Sequence, residues 1–171
     1  MKRKWKTAVV TLSDKGYAGE REDKSGPLIR DMVEAAGYEV SKILLLPDDQ
    51  KMIEEKLIAL CDEDHMDLIL TTGGTGFSPR DCTPEATLAV ATKNAPGIAE
   101  AMRFSSLQIT PRAMLSRSAS VIRNSTLIIN LPGSPKAAKE NLEYILPSLP
   151  HGLEIMCGMT GECGNEVGVK S

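Results

Sequence analysis

Aromatic residues are scarce. One Trp, three Tyr and two Phe make up 4% of the 171-residue chain, too few for the stacking platforms that hold single-stranded nucleic acid. Positive charge is not in excess either. Twenty Lys and Arg stand against 23 Asp and Glu, a net charge of −3, so nothing favours a nucleic-acid or anionic-membrane partner. The basic start, Met1-Lys2-Arg3-Lys4-Trp5-Lys6, reads as a solvated terminus. No apolar run approaches the roughly 20 residues of a membrane span, and Ala8-Val9-Val10 is too short for a signal-peptide core. Cys61, Cys82, Cys157 and Cys163 contain no Cys-x-x-Cys pair, and only His65 and His151 could join them, which disfavours a Cys/His zinc site. The expectation is free thiols in a reducing cytoplasm.

What is present is the composition of an ordinary folded domain, 42% hydrophobic and 25% charged. The length suits one core, with a single domain expected over residues 1–157 and a flexible C-terminal tail over 158–171. Short β-branched runs predict strands at residues 5–12, 38–46, 67–72, 118–123 and 126–131, the last two around a turn at Asn124-Ser125. Between them lie helical patterns. One starts at a Ser25 cap and stops at Gly37. A second starts at Asp48 or Asp49 and repeats through Ile53, Leu57, Leu60 and Cys61. A third opens at Thr83-Pro84-Glu85 with a capping hydroxyl, a fourth runs from Pro96-Gly97 to about Leu107, and a fifth follows Pro132-Gly133-Ser134-Pro135. Pro147 and Pro150 interrupt, and residues 153–156 continue helically. Residues 13–23 are polar and read as a loop. Strands alternating with helices predict an α/β fold: a three-layer sandwich with a Rossmann-like, mostly parallel sheet flanked by helices.

In such a fold ligands collect beyond the carboxyl ends of the strands. Three loops qualify by position: Ser13-Asp14, residues 73–81, and residues 132–134. Thr72-Gly73-Gly74-Thr75-Gly76 is neither a Walker loop nor Gly-x-Gly-x-x-Gly. Its glycines nevertheless let backbone N–H groups approach an anion closely, next to a helix start. Asp81 reads as a helix cap or as a Mg²⁺ ligand, because a carboxylate beside a phosphate cradle repels its ligand unless a divalent cation intervenes. Asp48 is equally a cap or a second carboxylate. Ser13-Asp14 is a turn or a phosphate contact, Ser116-Arg117 could offer a cation to an anion, and Asn130, Pro132, Gly133 and Ser134 form a second strand-end anion site.

Taken together, Thr72-Gly73-Gly74-Thr75-Gly76, Pro79-Arg80-Asp81 and Thr83-Pro84-Glu85-Ala86-Thr87 resemble the signature of the MogA/MoaB family. Ser13-Asp14, Leu46-Pro47-Asp48, Pro96-Gly97, Met114-Leu115-Ser116-Arg117 and the run from Ile129 to Ser134 extend the resemblance over nearly the whole chain. It implies molybdenum-cofactor biosynthesis: adenylylation of molybdopterin by Mg-ATP, with pyrophosphate released. It also implies Asp81 and Asp48 as the catalytic, Mg²⁺-holding aspartates. Ser13, Asp14, Thr72, Gly73, Gly74, Thr75, Gly76, Glu85, Ser116, Arg117, Asn130, Pro132, Gly133 and Ser134 would then bind nucleotide and substrate. A homotrimer in the cytoplasm and hand-over to a MoeA-like metal-inserting protein follow from the same resemblance. A non-catalytic carrier or scaffold of the same fold is the alternative. Cys82 stands where relatives often have an aliphatic residue.

Overall fold

A computed structural model describes residues 3–159, so the expected tail lies, from residue 160 on, outside the described residues. Six strands, β1 (Lys6–Leu12), β2 (Glu39–Leu46), β3 (Leu68–Thr72), β4 (Lys93–Asn94), β5 (Ser120–Arg123) and β6 (Thr126–Leu131), form one sheet in the order β2-β1-β3-β6-β5-β4. The first four strands of that row are parallel; β5 and β4 run antiparallel at one edge. The helices are α1 (Asp14–Tyr17), α2 (Ser25–Ala35), α3 (Gln50–Asp62), α4 (Thr83–Ala89), α5 (Pro96–Leu107), α6 (Pro135–Ile145) and α7 (Leu149–Met156). None is long and apolar enough to cross a membrane.

The alternation of side chains along the central strands divides the core in two. Val9, Leu68, Leu70, Ile129 and Leu131 pack with Ile29, Met102 and Leu142 of α2, α5 and α6. Their neighbours Ala8, Val10, Ile69 and Ile128 pack with Ile53, Leu57 and Ala86 of α3 and α4 on the opposite face. Every residue of β3 is buried, as a central parallel strand covered by helices on both sides requires. Each of its Leu and Ile side chains contributes about 1.5–3 kcal/mol by leaving water.

The expected three-layer α/β architecture is present, with local differences. The loop at 13–23 contains a helical turn, α1, capped by Ser13, whose Oγ accepts from the Gly16 amide at 3.0 Å. Ser25 does not cap α2. Asp23 Oδ1 accepts the Gly26 amide at 3.0 Å, and the Ser25 hydroxyl donates to the Gly133 carbonyl at 2.7 Å. Thr83 is likewise not a cap: its hydroxyl donates to the Gly73 carbonyl at 2.9 Å. Strand β4 and a 3-10 turn at Pro111–Leu115 were not visible as patterns. A two-residue strand has no periodicity of its own and exists here because it pairs with Val121 and Ile122.

Candidate active site

Topology gathers the loops. After β1 the chain crosses to β2 on one side, and β3 then enters on the other side of β1. That reversal leaves a crevice at the carboxyl ends of the strands. In register, Leu12 lies beside Leu46, Thr11 beside Thr72, and Thr72 beside Leu131. The loops leaving β1, β2, β3 and β6 therefore open together into a cleft of about 730 Å³. Of the candidate site residues, Ser13, Asp48, Thr72, Gly73, Gly74, Asp81, Gly133 and Ser134 line it. Arg21, Glu22, Asp23 and Lys24 also line it; sequence reasoning passed over them because a polar loop gives no sign of the cleft it will border.

The glycine loop is built by positive backbone angles and close contacts. Gly73 (φ +98°) lies so near Leu12 that an added Cβ would stand 2.3 Å from its carbonyl oxygen, and Gly74 (φ +66°) presses on Thr83 and Asp48. The Gly73 amide donates to the Leu131 carbonyl at 3.2 Å. The Gly76 amide donates to Asp81 Oδ2 at 2.9 Å, which also accepts the Ser78 amide at 3.3 Å. The amides of Gly74 and Thr75 make no hydrogen bond within the described residues, and Gly74, which lines the cleft, can offer its amide to an incoming anion.

Asp81 is not the cap of α4, since Cys82 occupies that position; its carboxylate closes the glycine loop instead. Nor does Asp48 cap α3, because Asp49 does so, accepting the Met52 amide at 2.9 Å. Asp48 Oδ2 accepts the Asp14 amide at 3.0 Å, while Oδ1 is buried without a hydrogen-bond partner. Burial, and then the charges of Asp14 and Asp81, push the Asp48 carboxyl above the ordinary carboxylate value against the pull of the Asp14 amide. Asp14 goes the other way. Arg80 grips it at 2.8 and 3.0 Å, and that guanidinium together with the Asp48 amide holds its carboxyl low. A buried carboxylate oxygen with no partner, repelled by a second carboxylate, is an arrangement a divalent cation would relieve. Among the described residues no three His, Cys, Asp or Glu are grouped so as to hold a metal ion by themselves. Two carboxylates, of which Asp48 has an unpartnered oxygen, are a donor set that Mg²⁺ completes with substrate oxygens.

Two 11-residue helices, α2 and α6, start at the cleft, and the bond from Ser25 to Gly133 ties these starts together. Their positive ends favour an anion here. Ser134 caps α6 by accepting the Ala137 amide at 3.4 Å, which leaves its hydroxyl proton, like that of Ser13, to donate.

The other expected site residues are not in this cleft. Thr75, Gly76, Ser116 and Pro132 line a smaller cavity of about 300 Å³ behind the glycine loop. Asn130 is fully buried, donating to Thr71 and Thr87 at 2.9 and 2.8 Å and accepting the Ala119 amide at 3.1 Å, so it is a core strut and no ligand contact. Arg117, expected to meet an anion, spends its guanidinium on protein: the Gly76 carbonyl at 2.7 Å, the Asp81 carbonyl at 3.0 Å, and Glu85. Glu85 is therefore paired as well. Cys82 is half-buried, and burial with the nearby Asp48 charge raises its thiol pKa, the reverse of an activated thiolate.

Known proteins resemble this chain. Residues 8–151 match a family described as "Probable molybdopterin binding domain". The molybdopterin adenylyltransferase of Helicobacter pylori is 43% identical over 159 residues, covering 88% of this chain and 86% of its own length. That of Haemophilus influenzae is 47% identical over 142 residues, covering 82% of this chain and 72% of its own. Among solved structures, the molybdopterin biosynthesis enzyme MoaB of Thermus thermophilus superposes with a TM-score of 0.86 at 47% identity, over 90% of this chain and 97% of that one. These matches take in both aspartates and the glycine loop between them, and the chain belongs to the molybdopterin-binding domain family of MoaB and MogA.

Proposed function

We propose that this protein transfers AMP from ATP to the terminal phosphate of molybdopterin in molybdenum-cofactor biosynthesis. A phosphate oxygen of molybdopterin attacks the α-phosphorus, a new P–O bond forms, and the bond to the β-phosphate breaks as pyrophosphate leaves. The observation that carries the reading is the buried, unpartnered Oδ1 of Asp48 in a cleft it shares with Asp81. Burial first, and then the charges of Asp14 and Asp81, raise the Asp48 pKa, which supports a role for a cation at this carboxylate. The adenylyltransferase names of the relatives support the same reaction.

Asp48 and Asp81 would hold Mg²⁺, which when bound neutralises triphosphate charge. The chain's own groups do the rest. The amide of Gly74, the hydroxyls of Ser13 and Ser134, and the starts of α2 and α6 take phosphate oxygens. Arg21 and Lys24 are the cations of the cleft lining, beside the acids Glu22 and Asp23. The phosphate nucleophile is already ionised near neutral pH, so no general base is required.

Residues 1–157 would act as one domain, in a cytoplasmic homotrimer that passes its product to a MoeA-like metal-inserting protein. Support for self-association comes from residues 104–115, which expose Phe104, Leu107, Ile109, Met114 and Leu115, the kind of apolar set that a partner subunit would cover.

Mixing the protein with ATP, Mg²⁺ and molybdopterin should release pyrophosphate, and Asp81→Asn should stop it while the fold survives. No release from wild type beside an active control would overturn the reading.

A further inference from the structure

We infer that Arg117 and Glu85 are positioning residues that set the placement of Asp81, an inference that rests on the adenylyl-transfer reading above. Arg117 follows the 3-10 turn at Pro111–Leu115 and touches the glycine loop at three points and α4 at a fourth. Its amide donates to the Thr75 carbonyl at 2.8 Å, Nε to the Gly76 carbonyl at 2.7 Å, and Nη2 to the Asp81 carbonyl at 3.0 Å. Nη1 pairs with the Glu85 carboxylate in the first turn of α4.

Gly76 and Asp81 are the two ends of the segment that Asp81 closes from inside, through Oδ2 on the Gly76 and Ser78 amides. One planar guanidinium thus grips both ends by their carbonyls, while the aspartate binds the amides between. Phe77, Ser78, Pro79 and Arg80 between those ends are all exposed; Arg80 ties the span to Asp14, and the Arg117 grip holds its two ends. A lysine cannot substitute, since one ammonium cannot reproduce a planar fork with three separately aimed donors.

Glu85 aims that fork. Burial raises its carboxyl pKa, but the Arg117 hydrogen bond and charge outweigh burial and leave the pKa below its ordinary value, so the pair is ionised at neutral pH. Arg103, donating to the Ser118 carbonyl at 2.7 Å, steadies the segment from which Arg117 projects. Arg117 does not line the larger cleft, and its charge is already matched by Glu85. A role in binding phosphate directly is therefore disfavoured.

The test combines kinetics with hydrogen exchange on Arg117→Ala, Arg117→Lys and Glu85→Gln. Both Arg117 variants should lower kcat about 10- to 100-fold, as loss of a group supporting a metal ligand does, with KM for ATP little changed. Glu85→Gln, whose amide oxygen still accepts from the guanidinium, should retain most of the rate. In Arg117→Ala the Gly76 and Ser78 amides should lose exchange protection while those of β3 and β6 keep theirs, which separates local release of the loop from unfolding. Wild-type kcat in both Arg117 variants would overturn the inference. So would a raised KM at unchanged kcat, or an Arg117→Lys variant as active as wild type, because either marks a direct charge contact with ATP. A wild-type protein that releases no pyrophosphate would instead refute the reaction. The exchange result would still decide whether Arg117 holds the loop: unchanged Gly76 and Ser78 protection would overturn the positioning role.

Discussion

Asp14 and Asp48 exchange hydrogen bonds: the Asp14 amide donates to Asp48 Oδ2 and the Asp48 amide to Asp14 Oδ1, each at 3.0 Å. This reciprocal pair joins the loop after β1 to the loop after β2 and fixes the Asp48 carboxylate with its second oxygen unpartnered toward Gly74. Arg80 pairs with Asp14 and leaves Asp48 without a salt-bridge partner. The reciprocal pair therefore joins one acid matched by Arg80 to one with no salt bridge among the described residues, and the latter, with Asp81, is proposed to meet a cation.

Asp48→Asn keeps the acceptor for the Asp14 amide and removes the unmatched charge. Its expected effects oppose each other. Adenylyl transfer should fall about a hundredfold or more, as when a group stabilising developing charge is lost. The ligand-free protein should melt higher by a few degrees, since relief of about 1 kcal/mol moves a domain of this size by roughly 2–4 °C. Calorimetry without metal checks the second; a lower melting temperature would contradict the unmatched-charge account.

Gly73→Ala should be poorly tolerated. The residue has φ +98° and a Cβ there would sit 2.3 Å from a backbone carbonyl oxygen, so a left-handed penalty of about 1–2 kcal/mol combines with a clash that no side-chain rotation relieves. Gly97→Ala is the control. Nothing lies within 4 Å of its Cβ and it sits in the first turn of α5, so denaturant melts should show it neutral or slightly stabilised. Equal melts for the two variants would refute this view of the loop.

Away from the cleft, Arg123 clasps Asp62 at 3.1 and 2.6 Å and Asn124 adds a bond at 3.0 Å, joining α3 to the β5–β6 turn. The Arg123 hydrogen bond holds the Asp62 pKa below its ordinary value of 3.8. A depressed carboxyl contributes stability above the unfolded value and loses it as pH falls through the folded one. Asp62→Asn should therefore melt below wild type at neutral pH, and the gap should close as the pH drops beneath about 3.8. A gap independent of pH would show that packing, not ionisation, is at work.

The exposed stretch at residues 104–115 predicts assembly. Light scattering should give wild type the mass of a trimer, and Ile109→Asp, which puts a charge at a 57% exposed apolar position, should give a smaller species with unchanged secondary structure. A monomeric wild type would refute the proposed assembly.

Much of this was legible in the sequence because it follows from local chemistry. Five strands, the helices between them and the loops at Ser13, Gly73 and Gly133 come from periodicity and turn residues, which act over a few positions. The caps were less legible. Ser25 and Thr83 look like caps, yet their hydroxyls reach Gly133 and Gly73, 108 and 10 residues away in the chain; sequence shows the donor and not the distant acceptor. Arg117 was misread for the same reason. A cation beside a serine suggests an anion ligand, and only the fold brings Gly76, Asp81 and Glu85 to its fork. Asp48 is the reverse case. Alternatives left open between cap and ligand narrow once Asp49 is found doing the capping.

The most direct test of adenylyl transfer follows the label. With ATP labelled at the α-phosphorus, wild type and Mg²⁺ should place the label on molybdopterin in step with pyrophosphate release, and Asp81→Asn should place none. Label that stays with free nucleotide, or molybdopterin labelled instead by ATP carrying its label at the γ-phosphorus, would contradict the account.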